Sequence, residues 1–580
     1  MRATSQSGVR ASLFAAIALT LTAGLAVSGC EPAPSSTLEV ETSSGLVLAG
    51  QTGPGATAWF AIPYAAPPVG ELRWRPPAAP VHATAPIAFD APGLACAQPG
   101  AGEDPVIGVE DCLTLNIYAP TDQADEPRPV MVWIHGGGNY AGAAADYDGS
   151  ALAARHGLVV VTINYRLGPF GWFHDPAVRA GDEDVPQTGE FAVLDMIAAL
   201  EWIQENIADF GGDVDNVTLF GESAGGQNVY ALVLAPSASG LFHGAISQSG
   251  GLWNMALDQA LNPVDGNPPG TRASASEILV SLLIDQGEAT DRDTAASLLE
   301  TWSPERLGAW LRSLSTEQVL AAYVDQPDLG YDLPSVVLDG VMHPATGHIE
   351  QLRSGNYNQV PLMLGGNRDE QKVWMAFDPA FVDFTETGPV VRDRARYDAV
   401  AEHYSDWWNV IAVDEFADNA RSPVFAYRFD WDDGPVDPVD FRYLVGAAHG
   451  IEIPFVFGDF QSNGYDFMFT AENAAARTAL SDAMMSYWAA FAYYGDPGRG
   501  MDGDLPLWQA WAEGREKLIF PASGLPGMGP AYPSAAELLD ALVNDERLEL
   551  GERCSILRHN TMYPRFDLAR LSAAGCPEAE

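Results

Sequence analysis

Lysine is almost missing. Only Lys372 and Lys517 occur in 580 residues, and the 30 basic residues face 77 acidic ones. The resulting formal charge of −47 repels phosphate backbones and argues against a nucleic-acid partner. Histidine is scarce at ten, and cysteine scarcer at five. With no HExxH and no clustered CxxC pattern, neither a metal nor an organic cofactor is implied. There is no internal repeat, and beyond the N-terminus no apolar run is long enough to span a bilayer. What remains is a long acidic chain, 47 % hydrophobic, with ample material for a large core. Its acidic surface suits solubility or salty surroundings.

The first residues read as processing rather than fold. Arg2 and Arg10 precede an uncharged apolar stretch, "ASLFAAIALTLTAGLAV" (11–27), flanked as an export signal. It ends in "VSGC", which resembles a bacterial lipobox with Cys30 as the lipidated residue. Residues 1–29 are therefore expected to be a lipoprotein-type signal peptide, 30–45 a flexible tether, and 46–580 a single domain. Such a chain would lie on the periplasmic or cell-envelope side, held to the membrane only by its lipid. Four cysteines then remain for an oxidising compartment, and they allow three pairings. The local one, Cys96 with Cys112 and Cys554 with Cys576, closes two short loops and is the pairing expected.

Short β-branched runs alternate with helical patterns. "PVMVWI" (129–134), "LVVVTI" (158–163), "NVTLF" (216–220), "GAISQS" (244–249), "PLML" (361–364) and "VFAYRF" (424–429) read as buried strands. Between two of them, Val193, Ile197, Leu200, Ile203 and Ile207 recur at helical steps until Gly211 and Gly212 stop the pattern. Strand, helix, strand in that order implies a mostly parallel α/β sheet flanked by helices. Residues 261–335 lack strand signals and read as a helical insertion or lid beside that sheet.

The chemistry centres on "VTLFGESAGGQNVYALVLAP" (217–236), where Ser223 sits between a strand and a helix. A Gly-x-Ser-x-Gly match alone is weak, but this context is that of a nucleophile elbow. Gly221 and Gly225 leave room for the sharp turn, and the following helix points its positive end at the serine. A nucleophilic serine also needs a base, an orienting acid and oxyanion donors. The donors are expected from "HGGG" (135–138) after a strand end: the N–H groups of Gly137 and Gly138, joined by that of Ala224.

In these segments the sequence resembles the type-B carboxylesterases, the α/β-hydrolase family that includes the cholinesterases. "FGGDVDNVTLFGESAG" (210–225) matches that family's nucleophile signature, and "EDCLTLNIYAP" (110–120) its second signature. "FAIPYAAPPVGELRWRPP" and "SYWAAFAYYGDPG" are also family-like, so the resemblance spans roughly residues 38–520. It implies an α/β-hydrolase fold and a Ser-His-Glu triad. "GGNRDEQ" makes the acid Glu370, with Asp369 a neighbouring rival, and "GAAHGIEIPFVFG" makes the base His449. Gln371 stands where the family has glycine. The resemblance also pairs Arg73 with Glu110 and Arg166 with Asp195 as buried ion pairs. It places Glu222, Ser249 and Glu452 as supports around the triad.

The expected reaction is cleavage of a small-molecule carboxylic ester through an acyl-enzyme. The loop 96–112 contains no tryptophan, where a cholinesterase would carry a cation-binding one, so choline esters are not the expected substrate. Trp374, Phe377 and aromatic residues of the insertion are candidates for an apolar acyl pocket, core packing being the alternative. Two other readings use the same residues: a cholinesterase-like adhesion module without catalysis, and an amidase or thioesterase with the same triad.

Overall fold

The computed structural model describes residues 38–561 and 575–576, apart from 54, 101–103, 123, 125, 182–184, 252, 325–333 and 462–463. The signal peptide and Cys30 therefore lie outside the described residues. The tether expected over 30–45 is a correction in its second half. Glu39–Thr42 and Gly45–Leu48 form an antiparallel hairpin, and Val40 and Val47 pack on the core. Val40, Thr42 and the turn's polar contacts outweigh the Ser- and Glu-rich composition that suggested a tether: the Thr42 hydroxyl donates to Gly45 O at 2.8 Å.

Eleven strands make the main sheet. In chain order they are β1 Gln51–Thr52, β2 Ala56–Pro63, β3 Thr114–Pro120, β4 Arg128–Ile134, β5 Val159–Ile163 and β6 Gly212–Glu222. Then follow β7 Gly244–Gln248, β8 Leu362–Asn367, β9 Val424–Phe429, β10 Glu516–Phe520 and β11 Gly527–Pro530. Across the sheet the order is 11-10-9-8-7-6-4-5-3-2-1. The centre, from β5 through β10, is parallel, while β1, β2, β3 and β11 pair antiparallel at the two flanks. All six strands expected from β-branched runs are central. Their near-continuous apolar composition reflects burial on both faces.

Helices cover those faces. The periodic stretch after residue 190 is α1, Phe191–Asn206, continued by a 3-10 turn that Gly211 ends at φ +82°. Gly212 already belongs to β6. The turn at Ser223 leads into α2, Ala224–Leu234, buried along its whole length. The insertion holds α3 Ala275–Asp285, α4 Arg292–Thr301, α5 Pro304–Ser313 and α6 Thr316–Val324. At its base Asn254–Ala256 and Val336–Leu338 run side by side as a short parallel pair.

The insertion has its own apolar core, with Ile278, Leu282, Leu311 and Tyr323 packed against Trp74, Phe170 and Phe191. It is also tied by charge. Arg73 donates to Glu110 at 2.7 and 2.5 Å and to the Leu314 carbonyl at 2.7 Å, while the Thr316 hydroxyl donates to Glu110 at 2.6 Å. The second expected pair, Arg166 with Asp195, is buried and bidentate at 2.7 Å. Both local disulfides form. Both lysines are buried in ion pairs, Lys372 with Asp369 at 3.0 Å and Lys517 with Asp414 at 2.6 Å. Among the described residues no helix is long and apolar enough to cross a membrane.

Candidate active site

The carboxyl ends of the parallel strands collect the candidate residues, where open α/β sheets carry their ligand sites. Ser223 follows β6, Ser249 follows β7, Glu370 lies three residues beyond β8, and the "HGGG" loop follows β4. Ser223 has φ +57° and ψ −123°, a strained backbone held between strand and helix. Its N–H donates to Gln248 O at 2.9 Å, which ties the elbow to the neighbouring strand. Glycine at 225 is obligatory: a Cβ there would stand 2.0 Å from Ile134 O.

The glycine loop presses against this elbow. A Cβ on Gly136 would lie 2.8 Å from Glu222 O and 3.1 Å from the Ser223 Cβ. Gly137 and Gly138 follow at φ +97° and +63°. Ala224 is the first residue of α2, so its N–H has no partner within the helix. His135 is buried under the loop and engaged there. Burial lowers its pKa to about 4, its Nδ1 donates to Gly136 O at 2.9 Å, and its ring stacks on Tyr165 at 4.4 Å. It braces the loop as a neutral ring.

His449 and Glu370 meet directly, Nδ1 to Oε2 at 2.5 Å. The other carboxylate oxygen, Oε1, accepts the Ser249 hydroxyl at 2.6 Å and the Asn367 N–H at 2.7 Å, which fixes the acid from three sides. Nε2 of His449 lies 3.2 Å from Oε1 of Glu222, the residue before Ser223, and has no hydrogen-bond partner among the described residues. Asp369, the rival acid, is occupied elsewhere. It pairs with Arg368 and Lys372 and accepts the Ala447 N–H at 3.0 Å, so it shapes the turn that carries His449. Gln371 fits in place of glycine because its φ is −68° and the Ser405 hydroxyl takes its N–H at 3.1 Å.

Buried carboxylates dominate the local electrostatics. Burial lowers the His449 pKa, but Glu222, Glu370 and Glu452 together outweigh it and raise the imidazole to about 9. Glu222 is pushed up to about 8, by burial first and by Glu452 and Glu370 next, against the opposing pull of His449. Burial also raises Glu452, whose Oε2 accepts Asn367 Nδ2 at 2.5 Å. Glu222 and His449 thus form a coupled pair in which each pulls on the other's proton.

Three indoles line one side of His449. Trp374 and Trp408 stand 5.1 and 5.0 Å from the His449 ring, and Trp253 meets Trp408 edge-on at 4.5 Å. Trp374 is 48 % and Phe377 41 % exposed, which excludes the core-packing alternative for both. Sequence reading missed Gln248, Asn367, Ser405, Trp408 and Asn409. Asn367 opens the "NRDE" stretch and so carried a signal, but the others join the site only through tertiary packing.

Comparisons with known proteins agree with this architecture. The model of the Carboxylesterase family matches residues 36–388 and 386–519. A para-nitrobenzyl esterase of Bacillus subtilis is 34 % identical over 499 residues, covering 81 % of this chain and 92 % of that protein. A human cocaine esterase is 32 % identical over 521 residues, covering 81 % and 85 %. Among solved structures, a PNB esterase superposes with a TM-score of 0.67 at 31 % identity, covering 87 % of this chain and 99 % of the other. A Geobacillus stearothermophilus carboxylesterase gives a TM-score of 0.64 at 31 % identity, covering 85 % and 98 %.

Proposed function

The chain belongs to the carboxylesterase family and is a carboxylic ester hydrolase, and from that premise we propose that Ser223, His449 and Glu370 are its triad. The observation that carries this assignment is the 2.5 Å contact between His449 and Glu370 beside the strained elbow of Ser223. His449 Nε2 takes the hydroxyl proton as Ser223 Oγ attacks the ester carbonyl. Glu370 holds the ring's tautomer through Nδ1 and stabilises the imidazolium. Unliganded sites often hold such nucleophile–base bonds loosely and tighten them around substrate.

The N–H groups of Gly137, Gly138 and Ala224 receive the developing oxyanion. Each such donor is worth about 10²–10³ in rate. His449 then protonates the leaving alcohol, and water repeats the sequence on the acyl-enzyme. The three indoles form one apolar wall beside His449, which favours esters with a bulky or aromatic group on that side. The chain is exported and held at the cell envelope through a lipid on Cys30. The "VSGC" sequence supports that placement, as do two disulfides, which persist in oxidising compartments.

The test is turnover of p-nitrophenyl esters of graded acyl length by the chain from Glu31, beside Ser223→Ala, His449→Ala and Glu370→Gln. The wild type is expected to turn over, Ser223→Ala and His449→Ala to be near silent, and Glu370→Gln to be strongly slowed. A Ser223→Ala variant with wild-type rates would overturn the assignment.

A further inference from the structure

One helical rod reaches the residues that hold Glu370, the ring of His449 and the helix that follows Ser223. It consists of α8, Arg394–Asn409 (α7 being the short helix Lys372–Met375), a π-helical turn at Val410–Asp414, and α9, Glu415–Asn419. The π-turn is closed by the Glu415 N–H donating to Val410 O, five residues back. Such widened turns inside α-helices occur disproportionately at functional sites.

Three consecutive contacts on one face of α8 reach the acid's loop and its partner. Ser405 accepts Gln371 N–H at 3.1 Å, Trp408 Nε1 donates to Ser249 O at 3.0 Å, and Asn409 Nδ2 donates to Asn367 O at 2.8 Å. Ser249 and Asn367 are the two residues whose O–H and N–H hold Glu370 Oε1. Trp408 also flanks the His449 ring. Across the widened turn, the rod meets the nucleophile helix. The Tyr230 hydroxyl of α2 donates to the Ala412 carbonyl, and its ring stacks on Phe416 at 4.4 Å.

We propose that this rod is the alignment element of the triad, with Asn409 and Trp408 as positioning residues that set Glu370, and through it His449, against the elbow. Neither touches a reacting atom as a chemical participant. Asn409 is fully buried, and its side-chain amide also donates to Ser405 O at 2.9 Å, so the amide locks α8 and β8 in one register. The proposal rests on the triad assignment above.

The test compares Asn409→Ala and Trp408→Phe with the wild type in kcat, KM and the acid limb of kcat/KM, on a p-nitrophenyl ester. Trp408→Phe keeps an aromatic ring beside His449 and removes the N–H donated to Ser249 O, together with part of the indole surface packed on Trp253 and Trp374. A displaced Glu370 holds the imidazolium less well. Both variants should lose about tenfold in kcat with KM within about twofold, and their acid limb should move about half a pH unit or more downward. If Asn409→Ala does not fold, Trp408→Phe decides alone. A loss of melting temperature and kcat with the acid limb unmoved would reduce the rod to a scaffold and overturn the proposal, as would wild-type kcat in both. Fluorophosphonate labelling of Ser223 in the wild type runs alongside. Its failure would count against the triad itself, whereas its success beside unmoved variants would sink only the positioning role.

Discussion

Glu222→Gln should make this enzyme work at lower pH. The substitution keeps the shape of the side chain and removes a carboxylate whose Oε1 lies 3.2 Å from His449 Nε2. Unit charges at that separation interact by about 1.3 kcal/mol at the dielectric constant of water and about 5 kcal/mol at an effective constant of 20. The smaller figure already equals about one pKa unit. Glu222 shares its pull on His449 with its neighbours in the cluster, Glu370 and Glu452, so the expected shift is taken at that lower figure.

The sign follows from which form of the base is active. His449 must be neutral to accept the serine proton, and its raised pKa of about 9 holds the proton on as pH falls. Wild-type kcat/KM is therefore expected to rise with pH on the alkaline side of an ordinary imidazole. Removing the Glu222 charge lowers the His449 pKa and moves that limb down by about one unit. The assay is kcat/KM on a soluble aryl ester from about pH 5.5 to about pH 10, corrected for spontaneous hydrolysis. A variant whose acid limb coincides with the wild type, or moves upward, would show that the Glu222 charge does not raise the His449 pKa.

Other perturbations test separate links. Gly136→Ala drives a methyl group onto Glu222 O and Ser223, so kcat should fall about 10²-fold or more while far-UV circular dichroism stays unchanged. Lys517→Ala leaves Asp414 buried without its cation and should cost about 3–5 kcal/mol in denaturant unfolding, whereas a paired Lys517→Met and Asp414→Leu change should cost far less. Replacing Cys96 and Cys112 by alanine opens a loop with a sequence separation of 16 and should cost about 3 kcal/mol by the same measurement. Trp374→Ala strips the most exposed indole from the His449 wall. It should raise KM for aryl esters by about tenfold and leave short alkyl esters nearly unaffected, as read from KM ratios.

The sequence announced six of the seven parallel strands because strands buried on both faces are continuously apolar, as in "LVVVTI" and "VMVWI", while β10, whose "EKLIF" opens on two charged residues, was missed. The antiparallel flanks were not legible from periodicity. β2 bends through Ala61 at φ +52° with a break in register, and β3 was visible only as a family motif. The hairpin at residues 39–48 was hidden by a polar composition that tertiary packing overrides. Of the candidate site, the elbow and the glycine loop lie in local motifs, whereas Glu370 and His449 were reached only through the family resemblance. Gln248, Ser405, Trp408 and Asn409 could not be read either way, because each reaches the site across elements distant in sequence. Such contacts leave no spacing to find.

The central claim is that an acyl group passes through Ser223. The most direct measurement is rapid acid quench of the enzyme during turnover of p-nitrophenyl acetate, followed by peptide mass spectrometry. One acetyl group is expected on the peptide carrying Ser223, absent from Ser223→Ala and accumulating in a burst before steady state. Full turnover with no acetylated peptide, or an acetyl group on another residue, would contradict the claim.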